Sequence, residues 1–494
     1  MTLTQSPGAR STVPAAMKGG TTIHDWHPED DEFWERGGGK QVARRNLVWS
    51  ILAEHIGFSV WLFWSMSAAM LAKLGFDFTV EQLFVLVAVP SAVGSFLRLP
   101  YTFAVPIFGG RNWTVISALL LVVPTLLFSF AVANPETPYW AFLLIAATAG
   151  FGGGNFASSM ANINAFYPTK AKGLALGLNA AGGNIGVAVL QLGLPIVVGA
   201  GGLFGLIKAS EGGTHLDRVG YLYAALSVGA AVLAYFLMNN LADQKSSVAE
   251  TAAVVKNKHT KIMSFLYIGT FGSFIGYSGA FPLLIKINFS FTDAEGVLTG
   301  INFAYFAFLG AGIGSLTRPF GGWLADRIGG AKVTLAVFLL QALGTVGILL
   351  TLLALEPATS PEAAEANKSV FVWFLLAFMF VFAMTGLGNG STYKMIPAIF
   401  KTEAVNGAAG GSPELFAALK KATVNSSAAV GIISAVGAFG GFLIPMMFGA
   451  PWIDNKFDAV INAFWIFTAF YLVCAAITFR VYMRKGTAMA EANV

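Results

Sequence analysis

Twelve apolar stretches, each long enough to cross a bilayer as a helix, follow one another along the chain. In the first half they run Leu47 to Ala72, Leu83 to Phe108, Trp113 to Ala133, Tyr139 to Phe166, Gly173 to Val198 and Val219 to Met238. In the second they run Ile262 to Ile285, Val297 to Ala325, Val333 to Leu355, Val370 to Phe400, Val424 to Phe448 and Val460 to Tyr482. Within hydrocarbon every backbone polar group must be satisfied inside the chain, so spans of this length are helices. The predicted class is an all-α polytopic membrane protein of twelve transmembrane helices. With 56% hydrophobic and 11% charged residues, the sequence falls well outside the range of soluble domains, of which about a quarter of residues are charged.

The polar segments set the domain plan: a tail over 1–46, a six-helix half over 47–238, a linker over 239–261, a second half over 262–482 and a tail over 483–494. Met1 to Gly39 has no apolar core of the signal-peptide kind, so the first span is expected to remain in the mature protein. Lys and Arg concentrate in alternate loops: Arg44, Arg45, Arg111, Lys170, Lys172, Lys256, Lys258, Lys261, Arg327, Lys332, Lys401, Lys420, Lys421, Arg484 and Lys485 all share one side. By the positive-inside rule that side is cytoplasmic, which predicts an inner (plasma) membrane protein with both termini in the cytoplasm. The net charge of +5 is thus accounted for by topology, and nucleic acid is not an expected partner. The one cysteine, Cys474, gives neither an internal disulfide nor a thiolate metal site, and no metal or cofactor is expected.

The two halves repeat one another. Arg98, Gly109, Gly110 and Thr114 recur as Arg318, Gly329, Gly330 and Thr334, each 220 residues later, and Ile56-Gly57-Phe58-Ser59 is echoed by Ile275-Gly276-Tyr277-Ser278. Arg318 lies eleven residues before Gly329. At about 1.5 Å per residue this places it ~16 Å deep, near the middle of a hydrocarbon core about 30 Å thick. An arginine there costs ~2.5 to 3.5 kcal/mol on insertion scales and faces either a cavity or a partner carboxylate. The sequence has few deep acids to serve as that partner, so Arg98 and Arg318 are the first candidate functional residues. Two repeated halves with one deep arginine each fit a transporter whose halves rock about a midplane site.

Three motifs carry a family resemblance. Gly321-Gly-Trp-Leu-Ala-Asp326-Arg327-Ile-Gly329-Gly330-Ala-Lys332 resembles the loop signature of the major facilitator superfamily, in which an Asp and basic residues latch the cytoplasmic face; the first-half copy, Phe108-Gly-Gly-Arg111-Asn-Trp-Thr, lacks the Asp. The runs from Ala149 to Asn164 and from Gly177 to Gly186 resemble the NarK-type nitrate/nitrite porter family within that superfamily. Gly431 to Gly441 resembles the same family's second glycine signature, and the tail around Asp25-Trp26-His27-Pro28-Glu29-Asp30 extends the likeness over nearly the whole chain.

The resemblance implies the major facilitator fold, in two pseudo-symmetric six-helix halves, and transport of nitrate and nitrite. It implies that Arg98 and Arg318 clasp the anion, that Phe58, Phe156, Tyr277 and Phe281 wall the site, and that Asn184 adds a hydrogen bond. It implies too that the signature glycines, Gly173, Gly177, Gly182, Gly183 and Gly186 in the fifth helix and Gly431, Gly437, Gly440 and Gly441 in the eleventh, let those helices slide past the arginines. Gly-x-x-x-Gly spacing alone is equally a device for close helix packing. The residue chemistry agrees independently: nitrate is a flat monoanion, and a guanidinium is a flat, permanently protonated fork of donors.

Two arginines in a small site repel one another when it is empty, which favours exchange of one anion for another over return of the empty carrier. Glu54, one turn before Phe58, and the adjacent His55 are candidates for coupling to protons; the plain alternative for Glu54 is a structural ion pair. A sensor that binds nitrate without net transport would require an output domain that neither linker nor C-terminal tail supplies, and a multidrug exporter would favour an acidic or apolar cavity. No enzymatic constellation is apparent, and the expected working unit is a monomer in the lipid bilayer.

Overall fold

The computed structural model describes residues 17–208, 210, 213–242, 254–293, 296–407 and 412–494. Among the described residues, twelve long helices carry the fold. The first six are α1 (Gly39–Leu74), α2 (Val80–Phe108), α3 (Gly110–Ala133), α4 (Tyr139–Phe166), α5 (Thr169–Val197) and α6 (Asp217–Leu237). The rest are α7 (Lys258–Phe289), α8 (Ala307–Ile328), α9 (Gly330–Leu352), α10 (Pro361–Gly407), α11 (Glu414–Phe448) and α12 (Lys456–Met483). Eleven of these are apolar and long enough to cross a membrane by length and composition; α8, which carries Arg318, Asp326 and Arg327, is the twelfth.

Two expectations change. The eighth span does not begin at Val297: Leu298–Gly300 forms β4, paired antiparallel with β3 (Ser290–Thr292), and the helix starts at Ala307. Gly300 turns the chain there with φ +99°, a conformation open to glycine and strained for other residues. The N-terminal tail packs against the rest of the chain over its described part. Thr22–Ile23 (β1) pairs with Asn240–Leu241 (β2), Trp34 is buried, and α1 starts at Gly39 rather than Leu47. Of the linker, residues 243–253 lie outside the described residues, as do 1–16 of the tail.

Two local departures from ideal helix lie close to the two arginines. Pro100 in α2 and Pro319 in α8 each follow a deep arginine by one or two residues, removing a backbone donor from the helix ladder at that level. In α7 a single π turn spans Ile268–Gly272, a local widening of the kind that collects at functional sites.

On the face bearing the basic loops, Asp326 takes Lys394 of α10 at 2.8 Å and Arg327 stacks on Trp323 at 4.0 Å. Lys394 thus occupies the acidic member of the loop signature. In the first half Arg111 donates instead to the Gly20 carbonyl and to Asn112. That loop is held by the N-terminal tail where its repeat has an aspartate.

Candidate functional site

Arg98 and Arg318 are both taken out of solvent, at 0% and 4% exposure, and neither makes an ion pair with Asp or Glu among the described residues. The ordinary fate of a buried arginine is therefore not theirs. Arg98 donates from Nε to the Gly153 carbonyl of α4 at 3.0 Å and from Nη1 to the Ser434 carbonyl of α11 at 2.9 Å, tying the two halves together. Its Nη2, and Nη1 of Arg318, are buried with no acceptor in the protein. Unpaired guanidinium donors in a desolvated place are costly, and an anion is the group that relieves them.

Phe156 links the two. Its ring centre lies 4.6 Å from Cζ of Arg98 and 5.8 Å from Cζ of Arg318. Arg98 is further bounded by Phe271 at 4.9 Å and Trp61 at 5.2 Å, and Arg318 by Tyr393 at 5.8 Å. A cation over an aromatic face gains ~0.5 to 2 kcal/mol, so these rings hold the guanidiniums without neutralising them. Phe58 stands one layer behind, 5.3 Å from Trp61 and 6.2 Å from Phe156. Asn184 is fully buried and neither atom of its amide has a partner.

Tyr277 and Phe281 stand elsewhere. Tyr277 bonds Tyr471 at 2.8 Å and packs among Phe378, Phe382, Phe464 and Phe467, while Phe281 packs on Phe374, Phe378 and Phe382. The same Tyr-x-x-x-Phe spacing occurs ten residues earlier as Tyr267 and Phe271, and it is this pair that the structure brings to the arginines. Their rings stack 5.4 Å apart, Tyr267 donates to Asn389 Oδ1 at 2.7 Å, and both arginines lie within electrostatic range of the tyrosine. Depth distinguishes the two pairs. From the basic-loop end, Arg318 is eleven residues in from Gly329, whereas Tyr267 and Phe271 are nine and thirteen in from Lys258 and Tyr277 and Phe281 nineteen and twenty-three. At ~1.5 Å per residue the later pair stands more than 10 Å beyond the arginines. Replacing Phe271 with Ala is accordingly expected to raise the half-saturating anion concentration about twofold to thirtyfold, the range of a lost cation–π contact, with Phe281→Ala leaving it unchanged. Equal shifts in initial-rate measurements would place both rings in the same role.

Glu54 is buried at 1% exposure and forms no ion pair among the described residues. Its Oε2 accepts from Ser159 and, at 2.5 Å, from Asn179 of α5; Oε1 has no partner, and both arginines lie within electrostatic range. Beside it is a small polar cavity lined by Ser50, Thr114, Ser117, Asn155, Ser158 and Ser159. His55 turns its Nδ1 to the Gly182 carbonyl at 3.2 Å.

The signature glycines divide into two groups. A Cβ on Gly182, Gly183 or Gly186 would stand 2.4 Å from Ile51, 2.6 Å from Glu54 and 2.3 Å from the His55 carbonyl, so this stretch of α5 lies directly on α1. On α11, a Cβ on Gly437, Gly440 or Gly441 would meet Tyr267 at 2.5 Å, Gly272 at 2.5 Å and Ile275 at 2.6 Å. Gly431 is looser, 3.2 Å from Thr102; Gly177 has nothing within 4 Å and Gly173 only the Lys394 ammonium at 3.6 Å. Close packing thus accounts for six of these glycines and not for Gly173, Gly177 or Gly431.

Residues 55–414 match the Major Facilitator Superfamily. The chain is 41% identical over 470 residues to the nitrate/nitrite transporter NarU of Salmonella typhimurium, covering 94% of this chain and 96% of the relative. It belongs to the nitrate/nitrite porter family of that superfamily. A probable nitrate/nitrite antiporter of Thermus thermophilus, NarK2, is 32% identical over 94% of the chain and 98% of its own length. Among solved structures, that of a D-xylose-proton symporter superposes with a TM-score of 0.57 at 15% identity, covering 89% of this chain and 98% of the other, a likeness of fold alone.

Proposed function

We propose that this chain exchanges nitrate for nitrite across a membrane by alternating access, with Arg98 and Arg318 clasping the anion between them. The observation that carries the reading is the pair of buried guanidinium groups sharing Phe156, each with an unpaired donor and no carboxylate partner among the described residues. Phe271, Tyr267 and Asn389 complete one wall in this reading, and the unpartnered Asn184 amide offers a hydrogen bond from α5. A flat monoanion satisfies two planar forks at once, while a tetrahedral or bulkier anion meets the aromatic rings. Without an anion two like charges face one another in low dielectric, so the loaded carrier reorients and the empty one does not. The relatives named as nitrate/nitrite transporter and antiporter support this substrate pair. The topology proposed with it has the basic loops and both termini in the cytoplasm and a monomer as the transporting unit.

Glu54 supports a second reading, nitrate–proton symport. A buried carboxyl with one free oxygen in the field of both arginines is placed to change charge with anion binding. Labelled nitrate entry into liposomes separates the two. Exchange predicts entry only with nitrite inside, insensitive to an inward proton gradient and retained in Glu54→Gln. Symport predicts entry into empty vesicles driven by the gradient and lost in that variant. Folded protein that moves no nitrate under either condition refutes both.

A further inference from the structure

Several contacts join the two halves on the face opposite the basic loops. Gln191 of α5 donates to the Ser278 carbonyl of α7 at 2.7 Å, Glu81 of α2 pairs with Lys456 of α12 at 3.6 Å, and the rings of Phe84 and Phe448 meet at 5.9 Å. Lys286 belongs to this set. It stands in the last turn of α7, and its ammonium donates to the carbonyl of Ala69 in α1 at 2.8 Å.

That bond is an unusual resting place for a charge. Lys286 is largely withdrawn from solvent, forms no ion pair with Asp or Glu among the described residues, and has Lys73 of α1 as a like-charged neighbour within electrostatic range. Lys73 has no carboxylate partner among them either. An ammonium has three donors, and one carbonyl, even at a helix C-terminus where the backbone dipole favours a cation, satisfies one of them. Two cations held together without an anionic partner among the described residues cost stability that a purely structural contact does not require. A neutral side chain would close the same gap.

We propose that Lys286 and Lys73 form an anion-recruiting site at the mouth opposite the basic loops, covered in this conformation by the Ala69 carbonyl. The inference rests on the transport reading. α1 and α7 lie in opposite halves, so opening this face breaks the bond from Lys286 to Ala69 and frees the ammonium beside Lys73. The two then present a positive entrance on the path toward Arg98 and Arg318. The same charge thereby closes the mouth in one state and draws a small inorganic monoanion to it in the other. Fields of this kind raise local counter-ion concentration and entry rates severalfold or more, and fade with salt.

The test uses right-side-out and inverted membrane vesicles holding the full chain, with nitrite as the probe, so that each face is assayed separately. Lys286→Gln and Lys73→Gln are expected to raise the half-saturating nitrite concentration about threefold to tenfold from the face opposite the basic loops only. High salt should erase the difference, and Lys286→Arg should restore the wild-type value. Lys73 is exposed, so its variant carries the test if Lys286→Gln does not fold. An equal rise from both faces, or none, in protein that still exchanges anions overturns this inference alone. Wild-type protein that moves no nitrite from either face removes the transport reading and this site with it.

Discussion

Arg98→Lys and Arg318→Lys should each reduce nitrate transport by at least about a hundredfold while leaving the protein folded and in the membrane. Charge is conserved in both variants, so simple attraction for an anion survives. What is lost is the planar fork: Arg98 uses Nε and Nη1 to hold the Gly153 and Ser434 carbonyls and keeps Nη2 free, an arrangement that a single ammonium cannot reproduce from one atom. Losing one bidentate, charge-assisted contact costs roughly 3 kcal/mol, the source of the hundredfold figure. Arg318 has fewer protein contacts and should lose transport with the smaller loss of thermal stability. Initial rates in liposomes together with melting temperatures check both parts, and near wild-type rates in both variants would end the clasp description.

The second large effect is steric. Gly440→Val should abolish transport and lower the folded yield, because a Cβ there would lie 2.5 Å from Gly272 Cα, and one on Gly272 would lie 2.5 Å from the Gly437 carbonyl. Here α7 and α11 meet backbone to backbone beside the π turn that holds Phe271, with no flexible side chain to give way. Overpacking costs ~1 to 3 kcal/mol where neighbours can shift and more where they cannot. Gly177→Leu is the informative contrast. With nothing within 4 Å it should leave the melting temperature unchanged, yet slow exchange if α5 must travel past a neighbour during the cycle. Normal folding and normal rates in Gly177→Leu would confine the glycine signature to packing.

Much of this was legible in the chain itself. The apolar spans, the 220-residue repeat and the eleven-residue distance from Arg318 to Gly329 depend only on helix rise and bilayer thickness, so the helix count and the withdrawal of both arginines from solvent followed directly. The start of α8 did not, because the hairpin Ser290–Thr292 with Leu298–Gly300 is as apolar as the helix it precedes. Phe156 was named from the chain, but Tyr267 and Phe271 beside the arginines were hidden. Tyr267 with Phe271 and Tyr277 with Phe281 share one spacing and one helix, and their separation lies along the helix axis, which periodicity does not register.

By itself, then, the sequence determined the all-helical membrane fold, its duplication and the two deep charges, because hydrocarbon leaves an apolar chain one way to satisfy its backbone and makes every buried charge conspicuous. Tertiary structure alone decided that neither arginine has a carboxylate partner among the described residues, that Phe156 lies near both, that Trp61 stands beside Arg98 and Tyr393 beside Arg318, and that Glu54 is held by Ser159 and Asn179 rather than by an ion pair among those residues. These are contacts between helices far apart in the chain. They depend on rotations and offsets that close glycine packing fixes to within an ångström, whereas a helix's own periodicity fixes only which residues share a face.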